Sequence, residues 1–260
     1  MWLVPAAQAQ SGDAAETLRQ IERYRQMLLE GNPADLVSAA GEELWKTKRG
    51  PKNVSLEQCD LGLGPGVVDG AYAQLPRYFA DTGQVMDFES RLVHCMVTLQ
   101  GFKREDVIKK PFSGRGQEHT DIEKFVSYVA DMSRDMPIKV PQSHPAEKAS
   151  YERGEKIFFY RAGPYDFACS TCHAVDGQRI RLQDLPNLTQ PKAAQRAFAT
   201  WPAYRVSLGA IRTMQWRMAD CFRQQRFPYL EYGSQASIDL ITYIGVKAEG
   251  GTYDGPGIKR

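Results

Sequence analysis

Apolar positions recur along this chain at helical spacing, in stretches separated by glycine and proline. Leu18, Ile21 and Leu28 keep that spacing in a first short stretch, which Gly31 and Pro33 close. Leu36, Val37, Ala40 and Leu44 keep it in a second. Residues 50 to 76 are rich in Gly and Pro and read as loop around Cys59. A helix is predicted over 86–99, carrying Cys95. After a loop with Gly101, Pro111 and Gly114, Thr120-Asp121-Ile122-Glu123 forms a capping box. It opens an amphipathic helix with Ile122, Phe125, Val126, Val129 and Ala130 on one face. Pro137, Pro141 and Pro145 then punctuate an extended linker, the best-marked boundary in the chain.

The pattern starts again beyond it. Pro145 in a first helical turn leads a helix to about Phe159, and a loop with Gly163 and Pro164 follows. A long irregular segment separates this from a helix over 208–223 that carries Cys221. The last helix begins near Ser237, groups Leu240, Ile241 and Ile244, and ends at Gly250-Gly251. No segment sustains period-two alternation, so the fold class is mainly α with long loops.

An internal repeat organises these elements. Pro76, Tyr78, Gly83, Arg91 and Cys95 recur 126 positions on as Pro202, Tyr204, Gly209, Arg217 and Cys221. Val85, Phe88 and Leu92 recur as Ile211, Met214 and Met218, and an amphipathic helix follows both copies. The two halves read as duplicated units. The expected division is an N-terminal helical extension over 1–48, a first domain over 49–140 and a second over 141–260.

Composition narrows the class. The 260 residues carry 33 basic and 31 acidic side chains, a net charge of +2, which argues against a nucleic-acid partner. No apolar run approaches the roughly 20 residues that span a bilayer. Ala7-Gln8-Ala9 has the small-x-small form of an export cleavage site, although the basic segment before it is absent and the apolar part is short. Residues 1–10 read either as a signal remnant or as residues added to the chain.

The chemistry centres on Cys169-Ser170-Thr171-Cys172-His173. Two cysteines two residues apart, followed at once by histidine, read as a site of covalent haem c attachment. The thiols of Cys169 and Cys172 form thioethers, and His173 becomes an axial ligand of the iron. A redox dithiol would sit near a strand–helix–strand pattern, and zinc would need two more ligands at matching spacing. Neither is present. Of five cysteines, Cys59, Cys95 and Cys221 remain. Haem attachment of this kind takes place outside the bacterial cytoplasm, where disulfides persist. Pairing of Cys59 with Cys95 would leave Cys221 as the odd thiol.

The ligand opposite His173 decides the function. Met214 and Met218 are candidates, and a methionine there defines a plain electron-transfer cytochrome c. Each also aligns with an apolar core position of the first half. Cys221 is the stronger candidate, because a thiolate lowers the haem potential and brings a reactive sulfur to the iron. Its alternatives are an inert buried thiol or half of a disulfide. Arg212, Arg217, Arg223 and Arg226 lie nearby against only Asp220. Arg217 stands one helical turn before Cys221, where a guanidinium suits an oxyanion substrate. Arg91 keeps the same offset to Cys95, so part of this spacing belongs to the scaffold.

On the haem motif, the Arg-Met-Ala-Asp-Cys string at 217–221 and the duplicated layout, the whole chain resembles the SoxA family, the larger subunit of the SoxAX cytochromes of thiosulfate oxidation. The resemblance implies tandem cytochrome c-like domains of which only the second binds haem. Cys59-Asp60-Leu61-Gly62-Leu63 keeps one cysteine and no histidine, as in the single-haem branch, where the leftover Cys59 and Cys95 form a disulfide. It further implies one haem c, Cys221 as a persulfide-forming catalytic ligand of the iron, and Arg217 as the substrate-binding residue. The implied activity is that of a periplasmic L-cysteine S-thiosulfotransferase, joining thiosulfate to a cysteine of the carrier SoxYZ. Two electrons pass to a SoxX cytochrome partner and on to a soluble cytochrome acceptor.

Overall fold

The computed structural model describes residues 31–109, 118–180 and 183–259, with Glu16, Arg19, Gln20, Arg23 and Met27. The expectations on Met1–Ala9, on the stretch of Leu18, Ile21 and Leu28, and on Pro111 and Gly114 lie outside the described residues. The first half runs α1 (Ala34–Lys46), a 3-10 turn (Tyr72–Gln74), β1 (Arg77–Phe79), β2 (Gln84–Met86), α2 (Phe88–Thr98), α3 (Arg104–Lys109) and α4 (Asp121–Asp131). The second runs α5 (Pro145–Phe159), α6 (Cys169–His173), β3 (Arg179–Ile180), β4 (Gln183–Asp184) and α7 (Pro191–Phe198). It ends with β5 (Ala203–Arg205), β6 (Ala210–Arg212), α8 (Met214–Gln224), α9 (Gln235–Lys247) and β7 (Gly257–Lys259).

Two helix crossings form the frame, α1 on α4 and α5 on α9. Each depends on a glycine. A Cβ at Gly41 would run into the carbonyl oxygen of Lys124, and one at Gly154 into that of Asp239. The same Cβ atoms would sit 2.9 Å from those of Tyr128 and Tyr243. Helix α1 therefore packs on α4 of the first half, and its Ala34 and Val37 also meet Ile211 of the second. Its buried face is Ala34, Val37, Ser38, Gly41 and Trp45. Leu36, 80% exposed, and Ala40 point away, because the face is chosen by close approach at Gly41.

Each half then repeats a short sequence of elements. An antiparallel hairpin pairs Tyr78 with Val85 in one half and Tyr204 with Ile211 in the other. A capped helix follows each: Asp87 accepts from the Ser90 N–H before α2, and Thr213 from the Trp216 N–H before α8. The capping box at Thr120 and Glu123 opens α4, whose Ile122, Phe125, Val126, Val129 and Ala130 are all buried. Strand β7 returns from the C-terminal segment to lie parallel to β5.

Three expectations change. The helix over 208–223 begins only at Met214, since residues 210–212 form β6 and Thr213 is the N-cap of α8. The irregular segment after the haem motif contains α7, which hides from a periodicity reading because only Ala194 and Phe198 are buried. The linker at Pro137 to Pro145 is not free: Ile138 and Val140 are buried, Ile138 N–H donates to Gly251 and Lys139 N–H to Ala73.

The main core spans both halves, and a small second cluster joins Ala34 and Val37 to Ile211. Arg212, 2% exposed, pairs at 2.8 Å with the fully buried Glu123. Gln215 donates to Asp87 and accepts from the Gly233 N–H at 2.6 Å. Tyr78 stacks on His144 at 3.6 Å and its N–H donates to Glu147 at 2.9 Å. Cys59 and Cys95 form a disulfide that ties the loop of residues 54–66 to α2.

Candidate functional site

The site is assembled from one short helix, one long loop and the face of α8. Pairing of Ala162 with Phe167 closes the loop ahead of α6, and the Ala168 N–H donates to Thr171 Oγ1 at 2.9 Å. This holds Cys169, Cys172 and His173 on a single turn. The chain then wraps back, with the Leu188 N–H on the His173 carbonyl at 2.7 Å. The Pro186 carbonyl lies 2.9 Å from His173 Nδ1. Accepting the Nδ1 proton, it fixes the tautomer and leaves Nε2 as the ring nitrogen for a metal. Burial lowers the pKa of His173, with Pro186 opposing and Arg217 adding to the effect, a shift toward the neutral ring that ligation requires.

Two adjoining cavities of about 600 and 320 Å³ open against this turn. Cys169, His173, Arg205, Arg217 and Cys221 border both. The structure thus brings together every haem-site and substrate-site residue expected from the sequence, with Cys172 on the smaller cavity. The apolar lining of the larger one includes Phe158, Leu188, Phe198, Trp201, Leu240 and Ile244. Met214 and Met218 also line it, within the buried core, but neither borders the smaller cavity. Only Cys221, among the three candidates for the distal position, faces both spaces alongside His173.

The thiols of Cys169, Cys172 and Cys221 are free. Burial pushes Cys169 up to about 12. Burial also raises Cys221, against the pull of Arg217 and, more weakly, Arg205. A thiolate at Cys221 therefore needs cations or a metal beside it. Arg217 holds Asp220 at 3.3 Å, while Asp220 also accepts from Arg223 and Gln224, both at 2.6 Å. Its counterpart Arg91 is committed to structure, donating to both oxygens of Asp81 and to the Asp60 carbonyl. Arg212, expected in the cationic field near Cys221, is instead locked on Glu123. Arg205 and Lys259 escaped the sequence reading, because strands β5 and β7 that pair them are joined by more than fifty residues.

These residues fit a covalently attached haem. Two free thiols and a tautomer-fixed histidine share one turn, an apolar cavity opens beside it, and the free thiol of Cys221 lines the same cavity. Among the described residues no group of three or more His, Cys, Asp or Glu is placed to hold a metal ion unaided.

The fold and this site define a cytochrome c-type protein. A family model for the SoxA/TsdA cytochrome c domain matches residues 40–138. The SoxA subunit of L-cysteine S-thiosulfotransferase from Hydrogenophilus thermoluteolus is 54% identical over 97% of this chain and 92% of its own. That from Hydrogenobacter thermophilus is 31% identical over the same shares. The SoxXA crystal structure from P. pantotrophus superposes with a TM-score of 0.75 over 92% of this chain and 84% of its own, at 23% identity. The chain belongs to the SoxA family of L-cysteine S-thiosulfotransferase subunits.

Proposed function

We propose that this chain is the catalytic subunit of an L-cysteine S-thiosulfotransferase acting in the periplasm. It joins thiosulfate to a cysteine of the carrier SoxYZ. The carrier thiolate and thiosulfate become a cysteine S-thiosulfonate and release two electrons, so one sulfur–sulfur bond forms and none is broken overall. One haem c, attached at Cys169 and Cys172, would supply a one-electron acceptor, and His173 and Cys221 are the residues that would hold its iron. The electrons leave to a SoxX cytochrome partner and a soluble cytochrome. The observation that carries this reading is Cys221 lining both cavities with His173, with Arg217 one turn before it.

Each residue then has a task. Cys221, carrying an extra sulfur as a persulfide, bonds to thiosulfate as two electrons leave; the carrier thiolate then attacks, that new bond breaks and the persulfide is regenerated, which is covalent catalysis by an activated sulfur. Arg217 holds the sulfonate end through charged hydrogen bonds. Pro186 keeps His173 in its ligating tautomer. The chain is read as a tandem duplication with haem in the second half only, supported by the matched hairpins, caps and glycine crossings and by the Cys59–Cys95 bridge. No helix of the described residues is long and apolar enough to cross a membrane.

The test is Cys221→Ala and Cys221→Met in the complex with the SoxX partner. Both are expected to keep one attached haem yet lose thiosulfate coupling, and the electron paramagnetic resonance of wild type should be that of low-spin thiolate ligation. A wild-type methionine-type spectrum would leave a plain electron-transfer cytochrome c ligated by Met214 or Met218, and full turnover by Cys221→Ala would leave a structural or docking subunit.

A further inference from the structure

Strand β7 runs parallel to β5 in a register that sets Lys259 beside Arg205. The Val206 N–H on the Lys259 carbonyl at 2.9 Å fixes that register. Both side chains line the larger cavity with Arg217 and Cys221. Neither makes an ion pair among the described residues, and Arg205 Nε is buried without a hydrogen-bond partner. The carboxylate nearest the cluster, Asp220, is already shared by Arg217, Arg223 and Gln224. Three cations therefore line one cavity whose other acidic residues are engaged elsewhere, Asp176 accepting from Asn187 and Asp184 pairing with Arg179.

We infer that Arg205 and Lys259 join Arg217 as a three-cation cradle that binds the substrate as a dianion and selects it over monoanions. This rests on the function proposed above and goes further, because it assigns selectivity to residues outside the Arg-x-x-x-Cys string. The physical argument is preorganisation: donors held by strand pairing bear their mutual repulsion before the ligand arrives, and an anion relieves it. Burial and the neighbouring guanidinium groups lower Arg205 against the pull of Asp220, and they bring Lys259 down to about 8 against the pull of Asp254, so crowding by cations outweighs the negative groups nearby. Arg217 alone matches one carboxylate-like edge. The added pair supplies charge for a doubly negative sulfur oxyanion.

The experiment uses the haem-loaded complex with its cytochrome partner. Arg205→Gln and Lys259→Gln are each expected to raise the KM for thiosulfate about tenfold with kcat within twofold, the size of one lost charged hydrogen bond. Lys259→Arg should restore KM, which separates charge from folding. In wild type, sulfate should compete with thiosulfate while nitrate at equal ionic strength should not. Unchanged KM in both Gln variants, or equal inhibition by nitrate and sulfate, overturns the cradle. Equilibrium dialysis of labelled thiosulfate against Cys221→Ala keeps the two readings apart. Binding that survives there, and weakens with Lys259→Gln added, supports the cradle even where the proposed turnover fails. Binding unaffected by Lys259→Gln refutes the cradle whatever the turnover.

Discussion

Single side chains at the join between the halves carry a pH signature. Glu89 is buried on α2 beside Asp87, with Oε1 unpartnered and a hydrogen bond to Thr213, the residue that caps α8. Burial, then the charge of Asp87, raises its pKa from the usual carboxylate value to about 8. The folded chain thus holds a proton that the unfolded chain releases near 4.5. The stabilisation is complete below the unfolded value and is lost as pH rises through about 8. Glu89→Gln should therefore leave the melting temperature at pH 5 unchanged and raise it at pH 9, as read by circular dichroism. An equal shift at both values would show that the proton on Glu89 is not the cause. A second residue-scale expectation concerns Arg217. Arg217→Lys keeps the charge but loses the planar fork, so kcat/KM for thiosulfate should fall less than in Arg217→Ala, where a loss of about 1.5–3 kcal/mol is expected.

Among elements, the glycine crossings are the sharpest constraint. Gly154→Ala would gain about 1 kcal/mol of helix propensity. It would also force α5 away from the backbone oxygen of Asp239, and overpacking of this kind costs about 1–3 kcal/mol. A net loss of stability in urea unfolding is expected, with Gly41→Ala behaving alike. The sequence made some of this level legible. Thr120 and Glu123 announced α4, Pro145 announced α5, and Cys169-Ser170-Thr171-Cys172-His173 announced the site. Those signals are local, written within one turn of chain. The burial of Gly41 in place of Leu36 was not legible, because a glycine carries no apolar signal and its role exists only against a second helix. Arg205 and Lys259 were hidden for a related reason. Their adjacency belongs to strand register between distant segments, and a three-residue strand leaves no alternation to read. Arg212 was misread from the opposite cause: its neighbours in sequence suggested the site, while its partner Glu123 lay in the other half.

Across the whole molecule, the two halves are welded by buried polar contacts rather than linked by a flexible segment. Arg212 with Glu123, Gln215 with Asp87 and Asn32 with the Pro256 carbonyl all cross between them. Removing one partner of a buried ion pair strands the other, at a cost of about 3–5 kcal/mol. Arg212→Met should lose that much in denaturant unfolding and Arg212→Met with Glu123→Gln markedly less. Because α8 begins two residues beyond Arg212, the same change should also disturb the spectrum of the haem-loaded protein. The core that spans both halves predicts one cooperative calorimetric transition for wild type, and two separated peaks would contradict it.

The Cys59–Cys95 bridge has a consequence for how such a chain matures. It staples a loop to the helix after the hairpin, and in the second half Cys221, which stands where the repeat has Cys95, carries no disulfide. There a haem held as proposed, attached to the loop and ligated by the sulfur on the helix, would supply the matching staple. A chain made in cells that lack the attachment machinery should therefore be born half-fastened. Limited trypsin digestion is expected to nibble it between residues 161 and 226 while leaving the stapled half whole, and loading with cofactor should close that gap.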